Sequence, residues 1–217
     1  MKLCFKVGSR PSRLALRQVE EVFEKLPGFK FEVIPILSQG DKDKKTPLAF
    51  KEGSNFFTYE IEQALLEGRI DLAVHSAKDL EDNPPPGLVI AALTDSLSRF
   101  DCLVAAGNFN LDSLPPGSRI GTSSQNRKQA ISKYRNDLVT LDIRGNVPER
   151  LFQLDRGNFE AVIVAEAALK RLGLEKRISQ VIPLDILEPH FLQGRLAIQV
   201  RDTRKDLLKI FRSIDVS

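Results

Sequence analysis

Apolar residues recur along the chain at two spacings, one typical of β-strands and one typical of α-helices. Residues 3–8 alternate between apolar and polar side chains and predict a first strand. The spacing over residues 13–26 predicts a helix that Pro27 and Gly28 end. The first half of the chain is predicted to run strand, helix, strand, helix, strand and strand. The predicted strands are 3–8, 31–37, 70–74 and 88–93, and the predicted helices are 13–26 and 56–65.

The second half repeats this alternation. Strands are predicted over 101–106, 119–121, 138–143, 159–165 and 196–200, and helices around 129–131, 147–154, 167–172 and 207–214. Residues 39–47 are polar and rich in lysine, and they predict a mobile connection. Alternating strands and helices predict an α/β fold with mostly parallel sheets. We expect two lobes, the first formed by 1–96 plus 195–217 and the second by 97–194.

One stretch combines a buried strand with reactive side chains. Residues 70–74 form a near-continuous apolar run, which is typical of a parallel strand covered on both faces. His75, Ser76, Lys78 and Asp79 follow where the strand should end. Ligands of open α/β sheets bind beyond the carboxyl ends of strands, so these groups could bind an anion and move a proton. Alternatively, Ser76 caps a turn and Lys78 and Asp79 form a solvated pair.

Cationic and hydroxyl side chains follow the other predicted strand ends as well. A strand end followed by a helix start favours anions, because backbone N–H groups and the positive end of the helix dipole meet there. For Ser12 and Arg10 the alternative is a helix N-cap beside an exposed arginine. The set comprises Arg10 and Ser12, Ser76 and Lys78, Thr122, Ser123 and Ser124 with Arg127, and Arg144 with Arg150.

The recurrence of cationic and hydroxyl side chains after strand ends predicts a cleft between two lobes. Such a cleft would bind a ligand with several carboxylates or phosphates. Arginine pairs with a carboxylate through two parallel hydrogen bonds, which suits such a ligand. Asp79 is the carboxylate that stands among these cations, where it should stay ionised. It could then stabilise a cationic intermediate or transfer a proton.

Composition and charge exclude several classes of function. The 217 residues are 42% hydrophobic and 28% charged, as in a globular protein, and the net charge of +3 is too small to indicate nucleic-acid binding. The chain has no Trp and two Tyr to stack on bases. His75 and His190 have no metal-ligand spacing to other donors. With two cysteines, no predicted leader and no apolar span, we expect a cytoplasmic protein with no membrane partner.

Several motifs in the order of the chain resemble the porphobilinogen deaminase, or hydroxymethylbilane synthase, family. They extend over nearly the whole chain, and together they are specific. The motifs are Gly8-Ser9-Arg10-Pro11-Ser12-Arg13-Leu14-Ala15-Leu16, Ala73-Val74-His75-Ser76-Ala77-Lys78-Asp79, Gly121-Thr122-Ser123-Ser124, Arg144-Gly145-Asn146-Val147, Leu169-Lys170-Arg171-Leu172-Gly173-Leu174 and Gln193-Gly194.

The resemblance implies an enzyme of tetrapyrrole (haem) biosynthesis. Members of the family polymerise four porphobilinogen units and release ammonia at each step, using a covalently attached dipyrromethane cofactor as primer. It also implies two lobes like those of periplasmic binding proteins, and a monomer. Asp79 matches the catalytic aspartate, which would stabilise the azafulvene cation and the protonated pyrrole nitrogen. The matches to substrate- and cofactor-binding positions are Arg10, Ser12, Ser76, Lys78, Thr122, Ser123, Ser124, Arg127, Arg144, Arg150 and Arg171.

The sequence departs from the family pattern at several positions. We expect the third domain of the family to be absent, and with it the usual cysteine that attaches the dipyrromethane, because neither Cys4 nor Cys102 matches that position. Ser54 and Tyr59 stand where the family has lysines. Asn126 replaces one of two paired arginines.

Three functions remain open from the sequence. The first is a minimal deaminase that makes hydroxymethylbilane from porphobilinogen, with its primer held without a covalent bond or at another residue. The second is a degenerate, non-catalytic protein that binds a pyrrole or another polycarboxylate anion. The third, a binder of nucleic acid or phosphate, is disfavoured by the composition.

Overall fold

The structure is a computed structural model that describes residues 4–43, 55–81, 83–107 and 109–216. The strands are β1 Cys4–Ser9, β2 Lys30–Pro35, β3 Leu72–Ser76, β4 Leu88–Leu93, β5 Asp101–Ala105, β6 Arg119–Gly121, β7 Val139–Leu141, β8 Ala161–Ala165, β9 Gln180–Val181 and β10 Leu196–Arg201. The helices are α1 Arg13–Glu24, α2 Gln39–Lys42, α3 Tyr59–Leu66, α4 Gln125–Tyr134, α5 Val147–Asp155, α6 Glu166–Leu172 and α7 Lys205–Phe211.

The chain divides into two compact units. The first contains the described residues within 4–43, 55–97 and 194–216, and the second contains those within 98–193. The chain leaves the first unit after Leu97 and returns to it at Gly194. Strand β10 therefore belongs to the first unit although it follows the whole second unit in sequence.

The first unit is built on a five-stranded sheet in the order β2-β1-β3-β10-β4. Strands β2, β1 and β3 pair in parallel, while β10 is antiparallel to both of its neighbours. Helix α1 packs a core of Val19, Val22 and Phe23 against the sheet, as its helical apolar spacing predicts. Gly8 lets β1 approach Ile70 closely, because a Cβ at this position would overlap the Ile70 side chain.

The second unit repeats the design with the order β7-β6-β8-β5-β9. Strands β7, β6 and β8 pair in parallel, and β5 is antiparallel to β8 and β9. Buried side chains of the central strands, including Leu103, Ile120 and Ile163, form the core. In each sheet four of the five strands thus run one way, as the prediction of mostly parallel α/β sheets requires.

Two local predictions were wrong, and one short strand was missed. Residues 39–42 form a short helix rather than an irregular connection, because Ser38 and Asp41 cap it reciprocally. Strand β3 spans Leu72–Ser76 rather than 70–74, so His75 and Ser76 belong to the strand, because both pair with antiparallel β10. The two-residue strand β9 was not predicted. Residues 44–47 of the predicted connection, and Gly53 and Ser54, lie outside the described residues.

Candidate active site

Polar side chains gather at one edge of the first unit's sheet. Strands β2, β1 and β3 run in parallel, so their carboxyl ends meet at the same edge. Asp41 follows β2, Arg10 and Ser12 follow β1, and Asp79 follows β3. This is the edge at which open α/β sheets bind ligands.

Arg10 forms an ion pair at this edge that the sequence did not predict. Its Nε lies 3.1 Å from both carboxylate oxygens of Asp41, and its Nη2 lies 2.5 Å from Oδ1. Burial alone would raise the pKa of Asp41, but the hydrogen bonds and charge of Arg10, with the hydrogen bonds of Ser38, lower it below its usual value. The guanidinium also lies 4.5 Å from the ring centroid of Phe57.

Ser12 is the N-cap of α1. Its hydroxyl accepts a hydrogen bond of 3.2 Å from the backbone N–H of Ala15. The half-buried hydroxyl therefore hydrogen-bonds to the helix, and the helix N-cap considered as the alternative for Ser12 is present. A role in ligand binding stays a prediction.

Asp79 is the exposed carboxylate of the predicted catalytic stretch. A single 3₁₀ turn, Ala77–Asp79, follows β3 and carries Lys78 and Asp79 away from the sheet. Ser76 accepts a hydrogen bond of 2.9 Å from Nε2 of Gln18 on α1. Within the described ranges, the Asp79 carboxylate makes no hydrogen bond or ion pair, so it is open to a ligand. Lys78 beside it is half-buried.

A polar layer lies buried beneath this turn. His75 is 6% exposed, and burial lowers the pKa of its imidazole to about 4, with the charge of Arg10 acting in the same direction. Gln199 donates a hydrogen bond of 3.1 Å to Glu62, and burial raises the pKa of this carboxyl. His75 is therefore a buried, neutral side chain of β3 rather than an exposed proton carrier.

The second unit carries the other predicted residues, and several of them follow strand ends of its own sheet. Strand β6 leads into Thr122, Ser123 and Ser124, and Ser124 precedes α4. Ser123 donates to the carbonyl of Ile143 (2.7 Å) and accepts from its N–H (3.0 Å), which joins this turn to the end of β7. The buried Thr122 hydroxyl has no hydrogen-bond partner among the described residues.

Arg127 is held by a buried ion pair. Its Nη2 and Nε donate to Asp101 at 2.6 and 3.1 Å, and its Nη1 donates to the Ile163 carbonyl at 3.3 Å. Asp101 is 3% exposed and also accepts a hydrogen bond of 2.9 Å from Gln193. The Arg127 side chain is only 11% exposed, so most of its donors are already used within the unit.

Three further predicted arginines lie on or beside α5 and α6. Arg144 follows β7 and lines an open groove of about 520 Å³ with Phe152 and Gln153. Arg150 on α5 donates from Nε to the Gly145 carbonyl at 2.8 Å. Arg171 is buried in the last turn of α6. The structure thus places five predicted residues in the first unit and seven in the second.

Sequence reasoning missed the carboxylates that hold Arg10 and Arg127. Asp41 follows β2, and Asp101 begins the antiparallel strand β5, so both lie at the same sheet edges as their partners. The strand-end signal that identified the arginines could also have identified Asp41. Asp101 could not be found this way, because the direction of β5 was not predicted.

Neither cysteine presents an exposed thiol among these groups. Cys4 is exposed at the start of β1, at the opposite end of that strand from Arg10. Cys102 is buried in β5, and burial raises the pKa of its thiol to about 12. The described residues contain no cluster of potential metal ligands, and none of their helices could cross a membrane.

Comparison with solved structures supports the fold. The chain is similar to the methionine-binding protein MetQ, with a TM-score of 0.58, 14% identity and coverage of 97% of this chain and 89% of the other. A putative methionine-binding lipoprotein from Bacillus subtilis gives a TM-score of 0.57 at 13% identity, covering 99% and 90% of the two chains. At this identity the likeness concerns the fold alone, and it confirms the predicted two-lobed α/β class.

Sequence comparison identifies the family. Residues 5–209 match the model described as porphobilinogen deaminase, dipyromethane cofactor binding domain. The chain is 40% identical to porphobilinogen deaminase of Brevibacillus brevis, over 97% of this chain and 70% of that protein. It is also 40% identical to the enzyme of the same name from Roseiflexus sp., over 99% and 72%. The chain therefore belongs to the porphobilinogen deaminase family.

Proposed function

We propose that this chain polymerises porphobilinogen into hydroxymethylbilane and releases ammonia at each condensation. The observation that carries the proposal is the exposed Asp79 carboxylate, at the same sheet edge as Arg10, in a chain of the porphobilinogen deaminase family. The named relatives suggest the reaction, and the exposed Asp79 carboxylate supports a role for this residue in it.

The substrate carries acetate and propionate groups, and the chain offers cations and hydroxyls to bind them. In the first unit these are Arg10, Ser12, Ser76 and Lys78. In the second unit they are Thr122, Ser123, Ser124, Arg127, Arg144, Arg150 and Arg171. Charge-assisted hydrogen bonds to carboxylates are stronger than neutral ones, so even a subset of these groups would hold a polycarboxylate. Among these groups, the buried Thr122 hydroxyl has no hydrogen-bond partner in the described residues, so its donor is available to a ligand.

Asp79 would stabilise positive charge during the reaction. When the carbon–nitrogen bond of the protonated aminomethyl group breaks, ammonia leaves with the electron pair and the positive charge passes to the pyrrole. A carboxylate fixed nearby stabilises that cation, and it can then accept the proton that the attacked pyrrole ring releases. The rigid 3₁₀ turn after β3 would hold the Asp79 backbone in place during both steps.

A dipyrromethane primer would supply the pyrrole ring to which the first substrate unit adds. The cationic and hydroxyl side chains at the two sheet edges fit its carboxylates. Neither cysteine fits a covalent attachment, because Cys102 is buried with a raised pKa and Cys4 lies at the opposite end of β1. We propose that this chain binds the primer through its carboxylates, without a thioether to Cys4 or Cys102.

Ammonia release from porphobilinogen tests the proposal. We expect the wild-type chain to release ammonia, and Asp79→Ala to lower the rate by about 100-fold or more, since general acid–base and electrostatic groups contribute at this scale. The free energy of unfolding of Asp79→Ala should lie within about 0.5 kcal/mol of the wild-type value, because the carboxylate is exposed.

The matched control is Asp202→Ala, which removes another exposed carboxylate, beyond the carboxyl end of antiparallel β10 and so at the opposite sheet edge. This variant should keep full activity. If the wild type binds porphobilinogen but releases no ammonia, the chain is a binding protein and the proposed reaction is wrong.

A further inference from the structure

We infer that Asp41 is a positioning residue that holds the Arg10 guanidinium in one orientation to receive a carboxylate of the ligand. The inference rests on the proposed function, because it takes Arg10 as a ligand-binding residue. The sequence pattern placed Asp41 in a polar connection and gave it no role. Its hydrogen bonds provide one.

The Asp41 carboxylate is anchored independently of Arg10. Its Oδ2 accepts hydrogen bonds from the Ser38 backbone N–H at 3.1 Å and from the Ser38 hydroxyl at 2.8 Å. The Ser38 hydroxyl in turn accepts from the Asp41 N–H at 3.2 Å, which completes a capping box on α2. The Asp41 side chain is 14% exposed. The position of the carboxylate is therefore set by the start of α2.

Asp41 occupies one edge of the Arg10 guanidinium and leaves another open. Both carboxylate oxygens face the edge formed by Nε and Nη2. Within the described part of the chain, Nη1 donates no hydrogen bond, and the Arg10 side chain is 28% exposed. The planar fork can thus pair a second carboxylate through the edge formed by Nη1 and Nη2.

Phe57 restricts the guanidinium from a second direction. Its ring centroid lies 4.5 Å from the guanidinium carbon of Arg10. Gly40 gives the ring its space, because a Cβ at position 40 would overlap the Phe57 ring. With one edge and one face held, Arg10 loses little side-chain freedom when a ligand binds, and this reduces the entropic cost of binding.

The hydrogen bonds of Arg127 differ from those of Arg10. Asp101 also pairs with its Nε and Nη2, but Nη1 donates to the Ile163 carbonyl and the side chain is only 11% exposed. Most hydrogen-bond donors of Arg127 are used within its own unit, whereas the guanidinium of Arg10 keeps one edge open. Because Ser38 fixes Asp41, a ligand would bind Arg10 with Asp41 in place rather than displace it.

Binding of porphobilinogen in an Asp79→Ala background tests the inference without turnover. We expect Asp41→Asn, which is isosteric but no longer an anionic acceptor, to weaken binding about 10-fold. Asp41→Glu keeps the charge and remains a residue suited to a capping box, so it should bind within about threefold of the parent. In an Arg10→Ala background, Asp41→Asn should have no further effect beyond about twofold, because Asp41 acts through Arg10.

A second measurement needs no ligand. In the wild type, the Nε–Hε resonance of Arg10 should be sharp and protected from solvent exchange, and Asp41→Asn should broaden it and remove the protection. An unchanged resonance, or porphobilinogen binding that is unchanged or tighter in Asp41→Asn, would overturn the inference. Failure of the parent to bind porphobilinogen would instead contradict the proposed function, and the resonance would still decide whether Asp41 orients Arg10.

Discussion

Arginines that follow strand ends in this chain differ in what they can still bind. Arg10 keeps an open edge beside Asp41, whereas Arg127 uses most of its donors on buried groups. A buried ion pair with a hydrogen-bonded carboxylate is sensitive to the loss of one partner, because the remaining charge stays buried without compensation. The two arginines should therefore respond differently when their carboxylates are replaced.

We predict that Asp101→Asn destabilises the protein by about 3 kcal/mol, at the lower end of the range for a broken buried pair. The control is Glu24→Gln, which breaks the exposed Arg17–Glu24 pair and should cost less than about 1 kcal/mol. Urea unfolding of the two variants measures both values. Equal effects would show that the Arg127–Asp101 pair contributes no more than a surface contact.

A second prediction concerns the effect of His75 on how stability depends on pH. The folded pKa of His75, about 4, lies below its unfolded value of 6.5, so protonation favours the unfolded chain. Stability from the neutral imidazole is present above pH 6.5 and is lost as the pH falls towards 4, to a total of about 3 kcal/mol. Glu62, whose pKa is raised by burial, acts in the opposite sense, since its contribution is lost as the pH rises.

Comparing the wild type with His75→Asn isolates the histidine. The difference in unfolding free energy between the two proteins should shrink as the pH falls from 6.5 to 4. A difference that stays constant over this interval would mean that His75 is not held in its neutral form.

For individual residues, the sequence pattern predicted which side chains follow strand ends but not which side chains they pair with. Asp79, Arg10 and Ser12 were found because cations, hydroxyls and carboxylates follow predicted strand ends. The Arg10–Asp41 pair joins residues 31 positions apart, and Arg127–Asp101 joins residues 26 apart. Such pairings depend on sheet order, which local patterns do not determine.

Among the elements, α1 begins at a side chain that caps the helix and that we also propose as a ligand-binding group. Ser12 caps α1 through the Ala15 N–H, and it also lies beside Arg10 at the sheet edge. Substitutions that separate the cap from the hydroxyl can therefore assign the role of the residue.

We predict that Ser12→Ala lowers stability by about 1 kcal/mol, since it removes the cap. Ser12→Asp should keep the stability, because aspartate caps helices well, yet weaken porphobilinogen binding by adding a negative charge near the substrate carboxylates. Thermal unfolding and binding titrations of both variants provide the test. Unaltered binding in Ser12→Asp would restrict Ser12 to its role as a cap.

Elements with a clear apolar pattern were predicted well, whereas α2, β9 and the directions of β5 and β10 were not. Helix α1 and strand β4 follow directly from their apolar spacing, and β4 has the predicted bounds. Helix α2 has four residues and depends on one capping box, so it has no helical period to read. The reversal of β5 and β10 depends on how the chain crosses between the two units, which no local pattern records.

Over the whole molecule, each unit combines one sheet with its own set of cationic and hydroxyl side chains. The first unit adds the exposed Asp79, whereas Cys4 lies at the opposite end of β1 from Arg10 and Cys102 is buried. The central claim is therefore that the chain binds porphobilinogen through its cations and condenses it, with a primer that is not attached to Cys4 or Cys102.

Native mass spectrometry after incubation with porphobilinogen tests this claim most directly. Each condensed unit adds the mass of porphobilinogen less that of ammonia, whereas a merely bound unit adds its whole mass. We predict increments of condensed units on the folded wild type that disappear on denaturation, and only whole-mass increments on Asp79→Ala. Whole-mass increments on the wild type, or no adduct at all, would contradict the account.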